Sequence, residues 1–302
     1  MGPESPPVGA TLPESVLSRY PRFTLYNSPY AAHDRGHAID LYPGADDAPS
    51  PVAGEVLDVK SYRAPPKDYA TDEDHLILIQ CAERSPGTTA GHVARLLHVE
   101  PSVEPGDRVA VGDSLGTLVR TGYFAPWVDN HVHLGFRDPD ANLYRASGSI
   151  PLSVEVGIEP LAWDGTGTVV DRGDTYVVLD EPTHPAPGDR FVGIAPDGGG
   201  VIDGGLRHYE GGGLLGESGS AVDRPDGPVS LLGTRIGDVD GRDLAWADVA
   251  VYANGERVAG LSLFLARDDG FGAKLIAPDN GFAVGDDIAV SIRPTDDPTV
   301  FS

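Results

Sequence analysis

Three lysines, one cysteine and one methionine are all that 302 residues contain of those types. A single cysteine, Cys81, excludes an intrachain disulfide and a cysteine-rich zinc site. No run approaches the roughly 18 apolar residues of a membrane-spanning helix. The first 13 residues lack both the basic start and the apolar stretch of a signal peptide, so the expected compartment is cytoplasmic. Basic charge is scarce as well: 22 Lys and Arg stand against 46 Asp and Glu, a net charge of −24. That balance argues against nucleic-acid and anionic-membrane partners, which need basic patches. Few lysines and abundant acid are expected of a halophilic protein, whose self-repulsion is screened over roughly 3 Å at molar salt.

Glycine (39) and proline (27) are abundant and spread along the whole chain. Apolar runs are short and alternating, with turn signals every 8–12 residues, a pattern that predicts an all-β protein. Expected strands in the first half cover 38–41, 54–62, 75–80, 93–99, 114–120 and 131–136. A second series covers 167–170, 175–179, 191–195, 229–235, 248–253, 256–265 and 287–293. One short helix is expected within 11–18. We divide the chain into an extended, proline-rich arm (1–20), a β domain (21–150) and a second β-rich domain (151–302), a sandwich or small barrel. The glycine-rich stretch 197–227 reads as a long loop or a pair of loops.

The densest chemistry lies in Asp129-Asn130-His131-Val132-His133-Leu134-Gly135-Phe136. Histidines two apart on a strand share one face, so their rings can share one metal ion, or a metal and its bound water. Imidazole is the commonest neutral zinc ligand. Asp129 and Asn130 are placed to orient those rings or to form a turn. Upstream stand Asp34-Arg35-Gly36-His37-Ala38-Ile39-Asp40-Leu41, then Ala94-Arg95-Leu96-Leu97-His98-Val99, then the turn Gly106-Asp107-Arg108-Val109.

In this order the pieces resemble the lysostaphin-type zinc metallopeptidases, over about residues 25–140. The resemblance implies a hybrid β-sandwich or barrel and a zinc-dependent hydrolase that cleaves a peptide or other amide substrate. It implies Asp40 and His133 as metal ligands, and His98 and His131 as acid/base or oxyanion groups. The family places its first ligand four residues before the aspartate, where this sequence has Gly36. His37 is the nearest substitute, and His33 the alternative. Strand parity sets both an odd number of residues from Asp40, so either needs a bulge, which Gly36 would permit. The Gly106–Val109 turn also resembles lipoyl-carrier barrels, but no lysine occupies a suitable hairpin tip.

The second half carries weaker signals. Gly216-Glu217-Ser218-Gly219-Ser220 looks like a serine-protease nucleophile loop, but neither His184 nor His208 has a triad's context, and a flexible loop is the simpler reading. Trp163 and Trp246 are expected in the core. His75 and His92 are expected at the surface.

Overall fold

The computed structural model describes residues 9–220, 222, 226–278 and 281–298. The chain is all-β: among the described residues the regular elements are strands, apart from one four-residue helix, Glu14–Leu17. It divides into two compact units. The first comprises Met1–Phe23 and Gly36–Glu155, the second Thr24–Arg35 and Val156–Ser302. The expected boundary near 150 therefore moves to 155, and a segment before Gly36 goes to the second unit. No helix among the described residues is long and apolar enough to cross a membrane.

In the first unit, six strands make an antiparallel run in the order Ala38–Tyr42, Val132–Arg137, Val93–Leu97, Glu73–Cys81, Gly54–Arg63 and Arg108–Val109. Alternate residues supply the core: Ile39, Leu41, Val132, Leu134, Phe136 and Leu96 are completely buried on one face. The other face carries Asp40, His133 and Leu97, because His133 stands directly opposite both Asp40 and Leu97 in the ladders.

The expected loose arm is corrected over its described part. Ala10–Pro13 pairs in parallel with Leu152–Glu155, and Leu12, Val16, Leu17 and Tyr20 are buried. Apolar residues at 10, 12, 16, 17 and 20 have enough area to dock despite the flanking prolines. Residues 1–8 of that arm lie outside the described residues.

The second unit is built on a 12-stranded antiparallel sheet running from Gly227–Leu231 at one edge to Glu256–Val258 at the other. Its apolar cluster includes Trp163 and Trp246, as expected, with Leu179, Ile202, Leu214 and Leu261. The expected loop at 197–227 is corrected: Val201–Leu206 and Gly211–Leu215 pair in an antiparallel hairpin. Its glycines are there for close packing. A Cβ on Gly212 would lie 2.3 Å from Trp246 Cζ2, and one on Gly213 would lie 2.3 Å from the Tyr26 ring. The expected strand 229–235 is in fact a hairpin, turning at Leu232 and Gly233, both with positive φ.

Asp203 ties the Thr24–Arg35 segment into this unit. Its buried carboxylate accepts from the Thr24 hydroxyl, from Leu25 N at 2.6 Å and from Tyr26 N at 3.2 Å. Burial pushes the carboxyl up to about 7, against the pull of those donors. Tyr26 Oη donates to Asp243, and Asn27 Nδ2 to Ser262 Oγ, each at 2.8 Å.

His208 is fully buried in a space that two glycines leave for it: a Cβ on Gly205 or Gly260 would come within 2.9 Å of its ring nitrogens. Burial, and then the nearby Lys274 ammonium, push its pKa down to about 3. The folded protein thus holds His208 neutral while the unfolded chain protonates it near 6.5.

Two stability outcomes follow. Gly212→Ala should cost about 1–3 kcal/mol in denaturant unfolding, the range for overpacked cores. The stability contributed by neutral His208 is complete above about pH 6.5 and declines as pH falls toward 3. The wild type should therefore lose up to about 1.4 kcal/mol per pH unit from this group, and His208→Asn should flatten the slope of unfolding free energy between pH 6 and 4.

Candidate metal-binding and catalytic site

Four of the side chains singled out in the sequence converge on one face of the first unit's sheet. Asp40 is buried, and its Oδ1 lies 2.9 Å from His133 Nδ1 across the ladder. Its Oδ2 lies 3.6 Å from His131 Nε2. The His98 ring stands 5.1 Å from that of His131 and 5.9 Å from that of His133, centroid to centroid.

His98 reaches the cluster because the strand breaks there. One place beyond Leu97, a regular strand would turn His98 to the face opposite His133. Its φ of 71° ends the Val93–Leu97 strand and separates it from Val99–Pro101. Left-handed backbone costs a non-glycine residue roughly 1–2 kcal/mol. Asp74 holds the strained residue in place: Oδ1 accepts from His98 N at 3.1 Å and Oδ2 from Nδ1 at 2.8 Å. Burial of Asp74 raises its carboxyl pKa, but the His98 charge and hydrogen bonds, with the His75 amide, outweigh it and hold the group below its ordinary value. Nδ1–H of His98 donates to Asp74, which leaves Nε2 as the acceptor nitrogen.

His131 is oriented by a backbone group. Its Nδ1 lies 2.8 Å from the Asp129 carbonyl, and the Asp129 carboxylate pairs with Arg22. The expected support from Asp129 thus comes through its carbonyl. Burial drives the His131 pKa down to about 4, with Asp40 opposing and His98 adding to the shift. His131 is therefore neutral near pH 7, with its unprotonated Nε2 toward Asp40. Phe124 packs on both catalytic candidates, its ring 4.8 Å from His131 and 5.3 Å from His98, and Tyr42 lies 5.1 Å from His131. Arg120 fixes the following loop by donating to the carbonyls of Ala125, Pro126 and Val128.

His37 departs from expectation. Its Nδ1 lies 3.1 Å from the Ser149 carbonyl, and it is not among the residues whose ligand atoms gather with those of Asp40 and His133. The left-handed bend does fall at Gly36, φ 58°, but it precedes His37 and leaves its odd spacing from Asp40 uncorrected. Continued one step, the ladder would pair residue 37 with Phe136; Ile150 N donates to the Phe136 carbonyl at 3.1 Å. His33 is buried in the Thr24–Arg35 segment, with Nδ1 2.8 Å from the Leu25 carbonyl. His92, expected at the surface, is buried, while His75 bonds Ser61 at a more exposed position. Ser218 and Ser220 share a hydrogen bond in an exposed turn.

Sequence reasoning did not find Asp74, Phe124 or Tyr42. Asp74 carried a faint signal: it is the second residue of the strand paired with the one that ends just before His98.

The donor set suits zinc. Asp40 Oδ1 and His133 Nδ1, hydrogen-bonded to each other at 2.9 Å, are both of donor types that zinc takes. A carboxylate with imidazole is a borderline-soft set of the kind zinc takes.

Residues 11–154 match the N-terminal domain, and residues 159–293 the C-terminal domain, of a family described as a domain of unknown function, DUF8155. The two matches run through both halves of the chain, which belongs to this two-domain family. No curated protein matches it.

The strain at His98 is directly testable. His98→Gly and His98→Ala both remove the ring, but only glycine relieves the left-handed backbone. The glycine variant should be the more stable by about 1 kcal/mol in chemical denaturation.

Proposed function

We propose that the first unit is a zinc-dependent hydrolase of amide bonds, of the lysostaphin type in its chemistry. The observation that carries this reading is the convergence of Asp40, His98, His131 and His133 on one sheet face, with Asp74 behind His98. Asp40 and His133 are the ligands. His37, which the resemblance offers as the third ligand, holds the Ser149 carbonyl through Nδ1, so the first unit supplies Asp40 and His133 as its ligand pair. A zinc ion held by these residues would supply a bound water of pKa about 7 and a Lewis acid for the substrate carbonyl.

The chain's own groups manage the protons. His131 presents an unprotonated nitrogen and accepts one. His98, steadied by Asp74, stands across from it and stabilises the oxyanion or returns the proton to the leaving amine. Phe124 and Tyr42 shield this space, which strengthens each charge interaction within it.

The competing reading is a binding or scaffold module derived from the same fold. It draws on Gly36, which stands where the resemblance places the first ligand. Elemental analysis separates the two. The hydrolase reading expects about one zinc per chain, lost in His133→Ala and in Asp40→Asn. His98→Ala should keep the metal while hydrolysis of a peptide amide falls by about 10²–10⁴, the usual contribution of a general acid–base group. A wild type that stays metal-free with added zinc overturns the reading; zinc without hydrolysis favours the scaffold.

The acidic surface is, on this reading, matched to a saline cytoplasm. With a net charge of −24, the thermal midpoint should rise steadily from 0.1 M to 2 M KCl as self-repulsion is screened. A midpoint independent of salt would remove that part of the proposal.

A further inference from the structure

The sheet face that carries Asp40 and the histidines continues away from them to two arginines. Along Val132–Arg137, His133, Gly135 and Arg137 share that face, and Arg95 stands directly opposite Gly135. Arg95 is thus two strand positions, about 7 Å, from His133, and Arg137 is its diagonal neighbour, within reach of a long side chain. Beside them lies a small buried apolar cluster of Leu76, Leu78 and Val93, with Leu97 and Leu143 packed against it; Leu76 stands opposite Leu97, Leu78 opposite Arg95 and Val93 opposite Arg137.

Both arginines are buried, Arg137 to 1% exposure and Arg95 to 6%. Arg95 Nε donates to the Leu143 carbonyl at 2.7 Å, and Arg137 Nη2 to the carbonyls of Arg145 and Ala146 at 3.1 and 3.3 Å. Arg137 Nε and Nη1 are buried without a hydrogen-bond partner. Among the described residues, neither guanidinium forms an ion pair with a carboxylate. Two like charges held together out of water are costly unless an anion joins them. Their mutual repulsion adds to burial in lowering the Arg137 pKa to about 10. A chain with 46 acidic residues and 22 basic ones has many carboxylates to spare for a structural ion pair, yet none is placed here.

We propose that Arg95 and Arg137 form a recognition site for a carboxylate of the substrate, so that the amide bond to be cut lies within about two residues of an acidic group. Guanidinium forks match a carboxylate bidentately. Arg95, the less buried of the two, receives the anion, and Arg137 backs it. The link to cleavage rests on the hydrolase reading above; the anion site itself does not.

The test is calorimetric binding to the full chain as purified, at fixed ionic strength, using N-acetyl-Ala-Ala as free acid, the same dipeptide as its terminal amide, and inorganic phosphate. The free acid should bind at least about tenfold more tightly than the amide, a difference of about 1.4 kcal/mol. Arg95→Gln should erase that preference, and Arg137→Lys, which keeps the charge but loses the fork, should reduce it. Zinc content should be unchanged in both. Equal binding of acid and amide, or binding of phosphate alone, overturns the proposal. A preference for the acid that survives in a chain with neither zinc nor hydrolysis would retain the anion site and remove the hydrolase.

Discussion

The pairing of Asp40 with His133 depends on one strand register. Ala38–Tyr42 lies against Val132–Arg137 so that these two residues are directly opposite. A slip of one place would send the carboxylate into the core and bring Ile39 or Leu41 out. Burying Ile39, Leu41, Val132 and Leu134 completely makes that slip costly, at roughly 1.5–3 kcal/mol for each large apolar side chain. The core therefore fixes the chemistry: the apolar alternation on one face determines which polar residues meet on the other.

The same parity explains why some candidate residues were legible in the sequence and others were not. His131, His133 and Asp40 lie on regular alternating segments, so the sequence pattern alone places them on one face. His98 has the wrong parity for that face and reaches it through a left-handed residue. Nothing local in Leu97-His98-Val99 signals this, since the positive φ is held by Asp74 from a neighbouring strand. His37 has the wrong parity too, and its glycine bend falls on the wrong side to help. The resemblance brought His98 and His37 forward alike, and the backbone separates them.

At the level of the fold, the alternation and turn spacing anticipated an all-β chain in two units. The boundaries suffered where glycine was taken for flexibility. The 197–227 stretch reads as a loop because glycine usually weakens strands. Here Gly212 and Gly213 lie where Trp246 and Tyr26 come too close for any Cβ. The docking of Thr24–Arg35 in the second unit was equally hidden, because it depends on Asp203, some 180 residues later in the chain. Long-range polar contacts of this kind have no periodicity to betray them.

Buried charge is spent unevenly across the first unit. Asp74 is surrounded by donors, and Asp40 has the Nδ1 of His133 at 2.9 Å, so each of these buried carboxylates has a hydrogen-bond partner in place. Arg95 and Arg137 have only carbonyl oxygens, which are dipoles and not opposite charges. In a chain this acidic, the absence of a carboxylate partner cannot come from a shortage of carboxylates. A buried pair of cations without a protein anion is the complement of an anionic ligand, and it lies on the same sheet face as the groups suited to hydrolysis. One register thus places Asp40, His133 and the two arginines on one face of three adjacent strands.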